Sequence, residues 1–406
     1  MSSPEPRDTQ QRRRLPAAPA TPAAAGALPL DALCEILLRL RGKQLCRLRT
    51  VCRAWRTLLT APWFAAAHAA RRREPYVVAS YVDHVDLDRD SLVDVLDMSS
   101  GQIVRHVAAG HASDVVVSVA ACSGSAGLVC VVKTIDGGSF RLLDPVTGAV
   151  HHLSGELARD HAARGFSLRD YGEPVFMFGQ VAGTGELKVL RMLPFRRRCG
   201  GGGGGGDRDD LFEVCTLSRS ARWRGMHGPP RSFVWNEWTR VVVGGVVYCL
   251  SVAAYFAVVN RRADERGWIV RFDLEAEQWR PSVKGPRGLV HGGRHNLYVT
   301  LANLNGSLVI VQESSRVMDL WFLKDSEEDL WVKQYSVQIE RSGHISPMHP
   351  LLVLEDGRIV TVIRSMGLLQ IYDPRTSTFA SLMMLRHSSR ISVHTGSFLS
   401  LHHGEN

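Results

Sequence analysis

The chain has 406 residues, of which 45% are hydrophobic and 22% are charged, which fits one large or two unequal folded domains and excludes wholesale disorder and collagen. Its eight cysteines include no C-x-x-C pair, which argues against a disulfide framework or a zinc cluster and indicates a reducing compartment. The formal charge of +9 belongs to residues 1–75, because residues 76–406 hold 35 basic and 35 acidic side chains.

Residues 1–26 contain a basic triplet, Arg12–Arg14, followed by a stretch rich in proline and alanine. Prolines at positions 16, 19 and 22 interrupt the apolar run that a signal peptide needs. We therefore predict a disordered leader over residues 1–26 and a cytoplasmic or nuclear location, or both. The triplet and the cluster Arg71–Arg73 could contact phosphate or direct nuclear import, but solvated charged faces are the favoured interpretation.

A helical pattern covers Leu28 to Arg73. Its first segment, DALCEILLRL, begins near Pro29 and has the i, i+3, i+4, i+7 spacing of an amphipathic helix at Leu33, Ile36, Leu37 and Leu40. A second helix over KQLCRLRTVCRAW is expected to place four residues on one stripe: Leu45, Leu48, Cys52 and Trp55. A third, short helix from Pro62 to Arg72 completes a small all-α domain of three helices over residues 27–73.

From Tyr76 onward, short apolar runs alternate with turn residues, which predicts an all-β domain over residues 76–400. A unit of an apolar doublet, an aspartate, a turn and a return strand recurs at Asp97, Asp144, Asp273, Asp325 and Asp373. Three of the spacings are 47, 52 and 48 residues, and the remaining one is 129. A period near fifty residues of four short strands is typical of a β-propeller. At roughly 45 to 55 residues per blade, the domain would hold six or seven blades.

Two segments of the β region allow more than one interpretation. Val241 to Asn260 is uncharged over 20 residues and long enough to cross a membrane, but its Gly-Gly pair and β-branched residues favour two buried strands with their connection. The seven glycines at 200–206 lie between two strand patterns and indicate a flexible hairpin loop.

The sequence shows no residue set for bond chemistry. Asp86, Asp88 and Asp90, with Asp97 at the twelfth position, resemble a calcium loop. Because Ser91 and Asp97 stand where that loop needs a glycine and a glutamate, an acidic hairpin loop is favoured. No nucleophile has a placed base and no histidine stands at metal-ligand spacing, so we predict no catalytic residue, no metal and no cofactor.

Two further features of the β region have structural interpretations. Asn305-Gly306-Ser307 satisfies a glycosylation sequon, but it also places Asn-Gly between two strand patterns, which favours a hairpin turn. Four tryptophans are expected in blade cores, with a ligand-pocket role left open for one of them: Trp235, Trp238, Trp321 and Trp331.

The helical region carries a specific set of residues: Leu28-Pro29, Asp31, Glu35-Ile36-Leu37, Arg39-Leu40, Leu48-Arg49, Val51-Cys52, Trp55-Arg56, Leu58, Pro62 and Phe64. On these residues the segment resembles an F-box, with Arg41 where the family usually has a proline. The remainder resembles the F-box-associated, kelch-like β-propeller domains of plant proteins, on ordered segments that include GLVCVV, LLDPVTGAV, ELKVLRML, GGVVYCLS, IVRFDLE and IYDPRTSTF. Together the resemblances cover residues 28–382.

The resemblance implies a non-catalytic substrate-recognition subunit of an SCF-type ubiquitin ligase. The F-box would dock on a SKP-family adaptor, and through it on a cullin scaffold, while the propeller captures an unidentified target protein. By the resemblance, eight residues carry or shape the adaptor contact: Leu28, Pro29, Leu33, Ile36, Leu37, Leu45, Leu48 and Trp55. A helical segment of about 45 residues is also too small to bury its own apolar faces well, which agrees with a partner surface.

Other functions stay open at this point. The chain could be a propeller that binds a small molecule or a glycan, or catalyses a reaction, without a ligase role. The basic leader could bind nucleic acid, and Val241 to Asn260 could span a membrane. The neutral large domain and the strand-like character of that segment favour neither, so we predict no nucleic acid and no membrane as partners.

Overall fold

The structure is a computed structural model in which a helical segment precedes a domain of β-strands. It describes residues 29–40, 42–71, 75–81, 92–98, 101–108, 115–121, 128–133, 139–143, 150–181, 184–195, 210–217, 221–255, 268–287, 289, 298–339, 347–385 and 390–395. Several features of the sequence lie outside these residues: the leader, Leu28, the candidate calcium ligands Asp86, Asp88 and Asp90, Asp144, and the glycine run at 200–206.

Four helices, instead of the expected three, form the described part of residues 29–71: α1 (Leu30–Leu37), α2 (Gly42–Leu48), α3 (Arg53–Thr60) and α4 (Pro62–Arg71). The predicted second helix is divided because Cys52 adopts an extended backbone with φ −157° and ψ 165°. Its Sγ accepts a hydrogen bond from Trp55 N at 3.5 Å and so caps the start of α3. The β-branched Thr50 and Val51 occupy the intervening turn. The predicted stripe is therefore wrong at Cys52, whose side chain is exposed.

The described strands form six four-stranded antiparallel sheets, which we number as blades in chain order. In each blade the strands are given from the innermost to the outermost. Blade 1 consists of β24 (Arg390–Thr395), β1 (Pro75–Tyr81), β2 (Leu92–Asp97) and β3 (Gln102–Ala108). Blade 2 consists of β4 (Val115–Ala121), β5 (Leu128–Lys133), β6 (Ser139–Leu143) and β7 (Val150–Ser154). Blade 3 consists of β8 (Val175–Gln180), β9 (Leu187–Leu193), β10 (Leu211–Thr216) and β11 (Arg224–Met226).

The remaining blades follow the same order. Blade 4 consists of β12 (Arg240–Val243), β13 (Val246–Leu250), β14 (Ile269–Asp273) and β15 (Gln278–Val283). Blade 5 consists of β16 (Tyr298–Leu304), β17 (Ser307–Glu313), β18 (Val317–Asp325) and β19 (Leu330–Gln338). Blade 6 consists of β20 (Met348–Val353), β21 (Ile359–Ile363), β22 (Leu368–Asp373) and β23 (Thr378–Met384). A short helix, α5 (Arg159–Ala163), lies between blades 2 and 3.

The innermost strands contact one another in a closed ring, in the order β24, β4, β8, β12, β16, β20 and back to β24. Sheets arranged around a central axis in this way form a β-propeller, so the prediction of a propeller after the helical segment is confirmed. The spacing of the aspartate units predicts six or seven blades, and the described strands form six such sheets. The ring closes within blade 1, where β24 pairs with β1 from Pro75 opposite Thr395 to Ser80 opposite Arg390.

The aspartate repeat marks one position of the blade. Four of its members end the third strand of their blade: Asp97, Asp273, Asp325 and Asp373. In the following turn, Asp273 Oδ1 accepts hydrogen bonds from the backbone N–H groups of Glu275 and Ala276 at 2.9 and 3.0 Å. The fourth residue after each of these aspartates has a positive φ, between 52° and 65°. A short carboxylate that hydrogen-bonds its own turn explains why the same residue recurs.

Tryptophan side chains join neighbouring blades 2 to 5 through their indole N–H groups. Each donor lies near the start of an outermost strand, and each acceptor is a backbone carbonyl at the end of the preceding blade's outermost strand. The three bonds have the same length, 2.8 Å, and run from Trp223 to Ser154, from Trp279 to His227 and from Trp331 to Lys284. A repeated bond of this kind fixes the position of each outer strand against its neighbour.

The four tryptophans predicted in blade cores all pack against core clusters, but only Trp321 and Trp331 lie on blade strands, which confirms the prediction for those two, while Trp235 and Trp238 lie in the link before β12. Trp331 is buried, and the other three are partly buried: Trp235, Trp238 and Trp321. Trp238 precedes β12, yet its ring centroid lies 3.9 Å from that of His349 in β20, so it reaches from blade 4 to blade 6.

Two alternatives left open by the sequence are decided by the strands. In the segment Val241 to Asn260, β12 and β13 form a hairpin through Gly244-Gly245, while residues 256–260 lie outside the described part. Among the described residues, no helix is both long and apolar enough to cross a membrane. Asn305 and Gly306 form the turn between β16 and β17, and the Asn305 amide donates to Val353 O at 2.7 Å, so the predicted hairpin is confirmed.

The two faces of the propeller carry connections of different length. One face holds the links between the first and second and between the third and fourth strands, of two to seven residues, and we call it the short-turn face. The other holds the links between the second and third strands and between blades, of three to twenty residues, and we call it the long-loop face. Because Tyr76, at the start of β1, lies opposite Asp97, at the end of β2, the chain enters the propeller at the short-turn face.

Thr361 in β21 is fully buried, and its hydroxyl has no hydrogen-bond partner among the described residues. Because Val has a similar shape and no polar atom, Thr361→Val should raise the free energy of unfolding by about 1 kcal/mol. Buried Thr239 is the matched control, since its Oγ1 donates to Asn236 O at 2.7 Å. Thr239→Val should lower the free energy of unfolding by about 1 kcal/mol in the same urea titration. A loss of stability in both variants would contradict the assignment.

Candidate functional site

The helical segment has a hydrophobic core built from its own residues. Leu37, Leu45, Leu59 and Phe64 are exposed by 1% or less, and the side chains packed against them belong to residues 33–67. No described residue of the propeller belongs to this cluster. The core of the helical segment therefore does not rest on the β-sheets.

Two buried polar side chains hold the helices together. Arg49 follows α2, and its Nη2 donates to Leu59 O at 2.9 Å near the end of α3. His68 of α4 donates from Nε2 to Leu40 O at 2.8 Å, in the turn after α1. Both side chains are less than 9% exposed, so each bond is shielded from water and links two helices whose own backbones do not pair.

Four large apolar side chains of the helical segment remain exposed: Leu30 at 63%, Ile36 at 47%, Val51 at 62% and Trp63 at 55%. Ile36 is adjacent in sequence to the buried Leu37 and so lies about 100° away around α1. The apolar arc of α1 is therefore wider than the part that its own core covers. These four side chains supply apolar surface that is available to a partner molecule.

The residues predicted to carry or shape the adaptor contact have three different placements. Pro29 and Ile36 are exposed. Three residues are partly buried: Leu33, Leu48 and Trp55. Those buried within the helical core are Leu37 and Leu45. Leu28 lies outside the described residues. The buried pair can act on a contact only through the fold, and contact of the whole set with an adaptor stays a prediction.

Helical spacing did not single out three of the exposed apolar residues. Leu30 and Trp63 stand in the first turn of α1 and α4, and Val51 lies in the turn between α2 and α3. The stripe predicted for the first helix began at Leu33, although Leu30 has apolar residues at i+3, i+4 and i+7, and neither predicted stripe included Val51 or Trp63. A large apolar residue at a helix start, beside a residue of the buried stripe, is the feature that would have pointed to Leu30 and Trp63.

The surface of the helical segment is basic. Four arginines are exposed and form no ion pair with another described residue: Arg39, Arg47, Arg53 and Arg56. Only Asp31 and Glu35 carry negative charge within residues 29–71. Glu35 Oε2 already binds Arg71 Nη1 at 2.7 Å, and this hydrogen bond lowers the pKa of Glu35 below its ordinary value. An acidic partner surface would be attracted to this segment.

The most buried charge cluster among the described residues lies in blade 3. Arg191 of β9 and Glu213 of β10 are both fully buried, with Arg191 Nε donating to Glu213 Oε2 at 2.8 Å. The guanidinium also donates to the carbonyl oxygens of residues 154–156. Glu213 Oε1 accepts from His161 Nδ1 at 3.0 Å and from Ala158 N at 2.7 Å. These hydrogen bonds to residues 154–156 and Ala158 attach the link between blades 2 and 3 to blade 3. Because neither charge reaches the surface, the cluster offers no group to a substrate.

Metal and catalytic sites were also predicted to be absent. Within the described residues, no group of three or more His, Cys, Asp or Glu side chains could hold a metal ion. The helical surface presents apolar side chains and guanidinium groups, which are the groups that protein interfaces use.

Two family descriptions match the chain: "F-box domain" over residues 27–65, and "F-box associated beta propeller domain" over residues 104–394. The arrangement of a helical segment with its own core, followed by a propeller, is thus the arrangement of an F-box protein. The second match covers more than half of the chain, so the chain belongs to the family of F-box-associated β-propeller proteins. The resemblance found in the sequence is confirmed.

A relative, "F-box protein At3g07870" of Arabidopsis thaliana, is 25% identical over 397 residues, which cover 88% of this chain and 87% of the relative. Two solved structures also align with the chain. A protein of unknown function from Bacteroides caccae has a TM-score of 0.40 and 9% identity, over 79% of this chain and 99% of that one. A chain of the nidogen/laminin complex has a TM-score of 0.41 and 11% identity, over 79% and 98%. At these TM-scores, neither structure supports a conclusion about this protein.

Proposed function

We propose that the protein is the substrate-recognition subunit of an SCF-type ubiquitin ligase. Its F-box docks on a SKP-family adaptor, which links it to a cullin scaffold, and its propeller captures the target protein. The observation that carries the proposal is an F-box whose core excludes the propeller while Ile36 and three further large apolar side chains stay exposed.

Apolar burial and charge both support docking. Full burial of a large apolar side chain contributes roughly 1.5–3 kcal/mol, so four side chains that are about half exposed contribute roughly 3–6 kcal/mol. This is modest against the cost of association, so the partly buried Leu33, Leu48 and Trp55 also contribute. The exposed arginines accelerate the encounter with an acidic adaptor surface, and added salt slows it.

The proposed role requires no bond chemistry from this chain. The F-box holds one end of the molecule on the ligase, and the propeller holds the target at the other end. Tethering the target in this way raises its effective concentration near the ubiquitin donor without a new active site. Because the chain enters the propeller at the short-turn face, the long-loop face is on the far side of the blades from that entry point.

Replacing the exposed Ile36 by aspartate tests the docking surface. A charge buried against an apolar partner surface is costly, so Ile36→Asp should lower co-purification of a SKP-family adaptor by about tenfold or more. Thermal unfolding of the purified chain should stay unchanged, because Ile36 is 47% exposed. Unchanged co-purification of the adaptor would refute docking through the F-box.

A matched control and a contrasting variant make the result specific. Leu168 is an exposed apolar residue of the propeller, and Leu168→Asp should leave co-purification unchanged. Leu37→Ala removes a buried side chain and should destabilise the F-box by about 2–5 kcal/mol. If Leu37→Ala loses the adaptor, the cause is unfolding of the F-box, so the midpoint of its thermal unfolding should also fall.

A further inference from the structure

Over blades 4 to 6 the two faces of the propeller carry opposite charge. On the short-turn face, the turns at 274–277, 326–329, 354–358 and 374–377 hold seven acidic and two basic residues. On the long-loop face, the described residues at 227–239, 285–287, 314–316 and 364–367 hold four basic and one acidic residue. Residues 76–406 have no net charge, so the difference between the two faces comes from the placement of the charged residues and not from an excess of one sign.

Three of the basic side chains on the long-loop face are not already neutralised. Arg231, Arg287 and Arg316 are exposed and form no ion pair with another described residue. Lys284, just after β15, is counted with neither face, because its Nζ lies 3.6 Å from Asp329 Oδ2 in a turn of the short-turn face. The three arginines come from the link between blades 3 and 4, the link between blades 4 and 5, and the second link of blade 5. Three uncommitted guanidinium groups therefore lie on one face of adjacent blades.

Partly exposed aromatic side chains accompany these charges. The link that carries Arg231 also contains Trp235 and Trp238. Because the Trp238 ring contacts His349 of β20, this link lies over the inner strands on the same face. Arg and Trp are the side chains most enriched at the energetic centres of protein interfaces.

We infer that the long-loop face of blades 4 and 5 binds an acidic segment of the target protein. Arg231, Arg287 and Arg316 pair with its carboxylates, and Trp235 contacts an apolar residue of the same segment. The inference rests on the proposed function, since it names the class of target that the receptor captures. It places the target on the face opposite to the one where the helical segment joins the propeller.

A nucleic acid fits this face less well. Nucleic-acid affinity grows with the number of phosphates neutralised, and three free guanidinium groups neutralise few. A short acidic peptide segment needs only the local charges.

Fluorescence anisotropy with a labelled peptide tests the inference. The probe is a short peptide of glutamate and aspartate around one leucine, added to the purified full-length chain with and without adaptor. Reversing three exposed charges in the variant Arg231→Glu, Arg287→Glu, Arg316→Glu should weaken binding by about tenfold or more. The matched control reverses three exposed charges on the opposite face: Glu275→Lys, Glu328→Lys, Glu355→Lys. This control should not weaken binding.

Three results would overturn the inference. They are unchanged affinity in the arginine variant, equal affinity for a peptide in which lysine replaces the acidic residues, and tighter binding of single-stranded DNA than of the acidic peptide. Adaptor co-purification separates this inference from the proposed function. An arginine variant that keeps the adaptor but binds the peptide as the wild type does overturns only the acidic-segment site. An Ile36→Asp variant that keeps both peptide and adaptor overturns only the proposed docking.

Discussion

Deletion of residues 390–406, which removes β24, is expected to abolish cooperative folding of the propeller. β24 is the innermost strand of blade 1 and pairs with β1 over its whole length. Its Ile391 belongs to the same core cluster as Val77 and Ala79, which are fully buried. Strand hydrogen bonds at about 1 kcal/mol each and the burial of Ile391 at about 2–3 kcal/mol together reach about 5–10 kcal/mol. That loss is comparable with the whole stability of a typical domain.

Size-exclusion chromatography and thermal unfolding check this expectation. The truncated chain should elute as aggregates and show no sharp transition, because the inner edge of β1 is left unpaired. A deletion that begins at Gly396 keeps β24 and is the matched control, with a transition like that of the complete chain. A cooperative, monomeric protein without residues 390–406 would show that the ring does not depend on β24.

Glu213→Gln is expected to lower the free energy of unfolding by about 3–5 kcal/mol, because it leaves the buried guanidinium of Arg191 without its counter-charge. Glutamine keeps the shape of the side chain, so the loss reports charge and not volume. Arg191 would still donate to the carbonyl oxygens of residues 154–156, which hold the link between blades 2 and 3. Urea denaturation measures the change.

An exposed ion pair supplies the control for Glu213→Gln. Arg358 Nε binds Asp356 Oδ2 at 2.7 Å, and both side chains are at least 40% exposed. Asp356→Asn should therefore cost no more than about 1 kcal/mol. Equal effects in the two variants would mean that burial does not strengthen the blade 3 pair.

The same carboxylate predicts a loss of stability in acid. Burial alone would raise the pKa of Glu213, but the hydrogen bond from His161 and the charge of Arg191 outweigh it, so the pKa lies below the ordinary value of 4.5. The stabilisation that accompanies a lowered carboxyl pKa is complete above the ordinary pKa, and it is lost as the pH falls through the pKa of the folded state. The free energy of unfolding should fall below about pH 4.5 in the wild type and fall less in Glu213→Gln. Parallel curves for the two proteins would contradict this assignment.

Local turn chemistry explains why the propeller could be predicted from sequence. Asp97, Asp273, Asp325 and Asp373 each end the third strand of their blade and precede the turn to the fourth, so the period of the aspartate is the period of the blade. The interval of 129 residues is long because it includes blade 3, whose third strand ends at Thr216 without an aspartate. The repeat is visible in the sequence wherever an aspartate precedes the turn between the third and fourth strands.

Contacts between segments that are distant in sequence produce no repeat of this kind in the sequence. The pairing of β24 with β1 joins the two ends of the β domain, and no local signal marks it. Arg191 and Glu213 are on neighbouring strands of blade 3, and a charged residue within a strand pattern gives no sign that it is buried. The same limit applies to the helices, where spacing placed Leu37 and Ile36 on one stripe but could not show that only Leu37 is covered.

Calorimetric titration of the purified chain with a recombinant SKP-family adaptor tests the central claim, which is that the F-box completes its apolar surface on a partner. We predict saturable one-to-one binding with a negative change in heat capacity, because apolar surface leaves water, and no binding by Ile36→Asp. A folded wild-type chain that gives no binding heat at any temperature, or an Ile36→Asp variant that binds as tightly as the wild type, would contradict it.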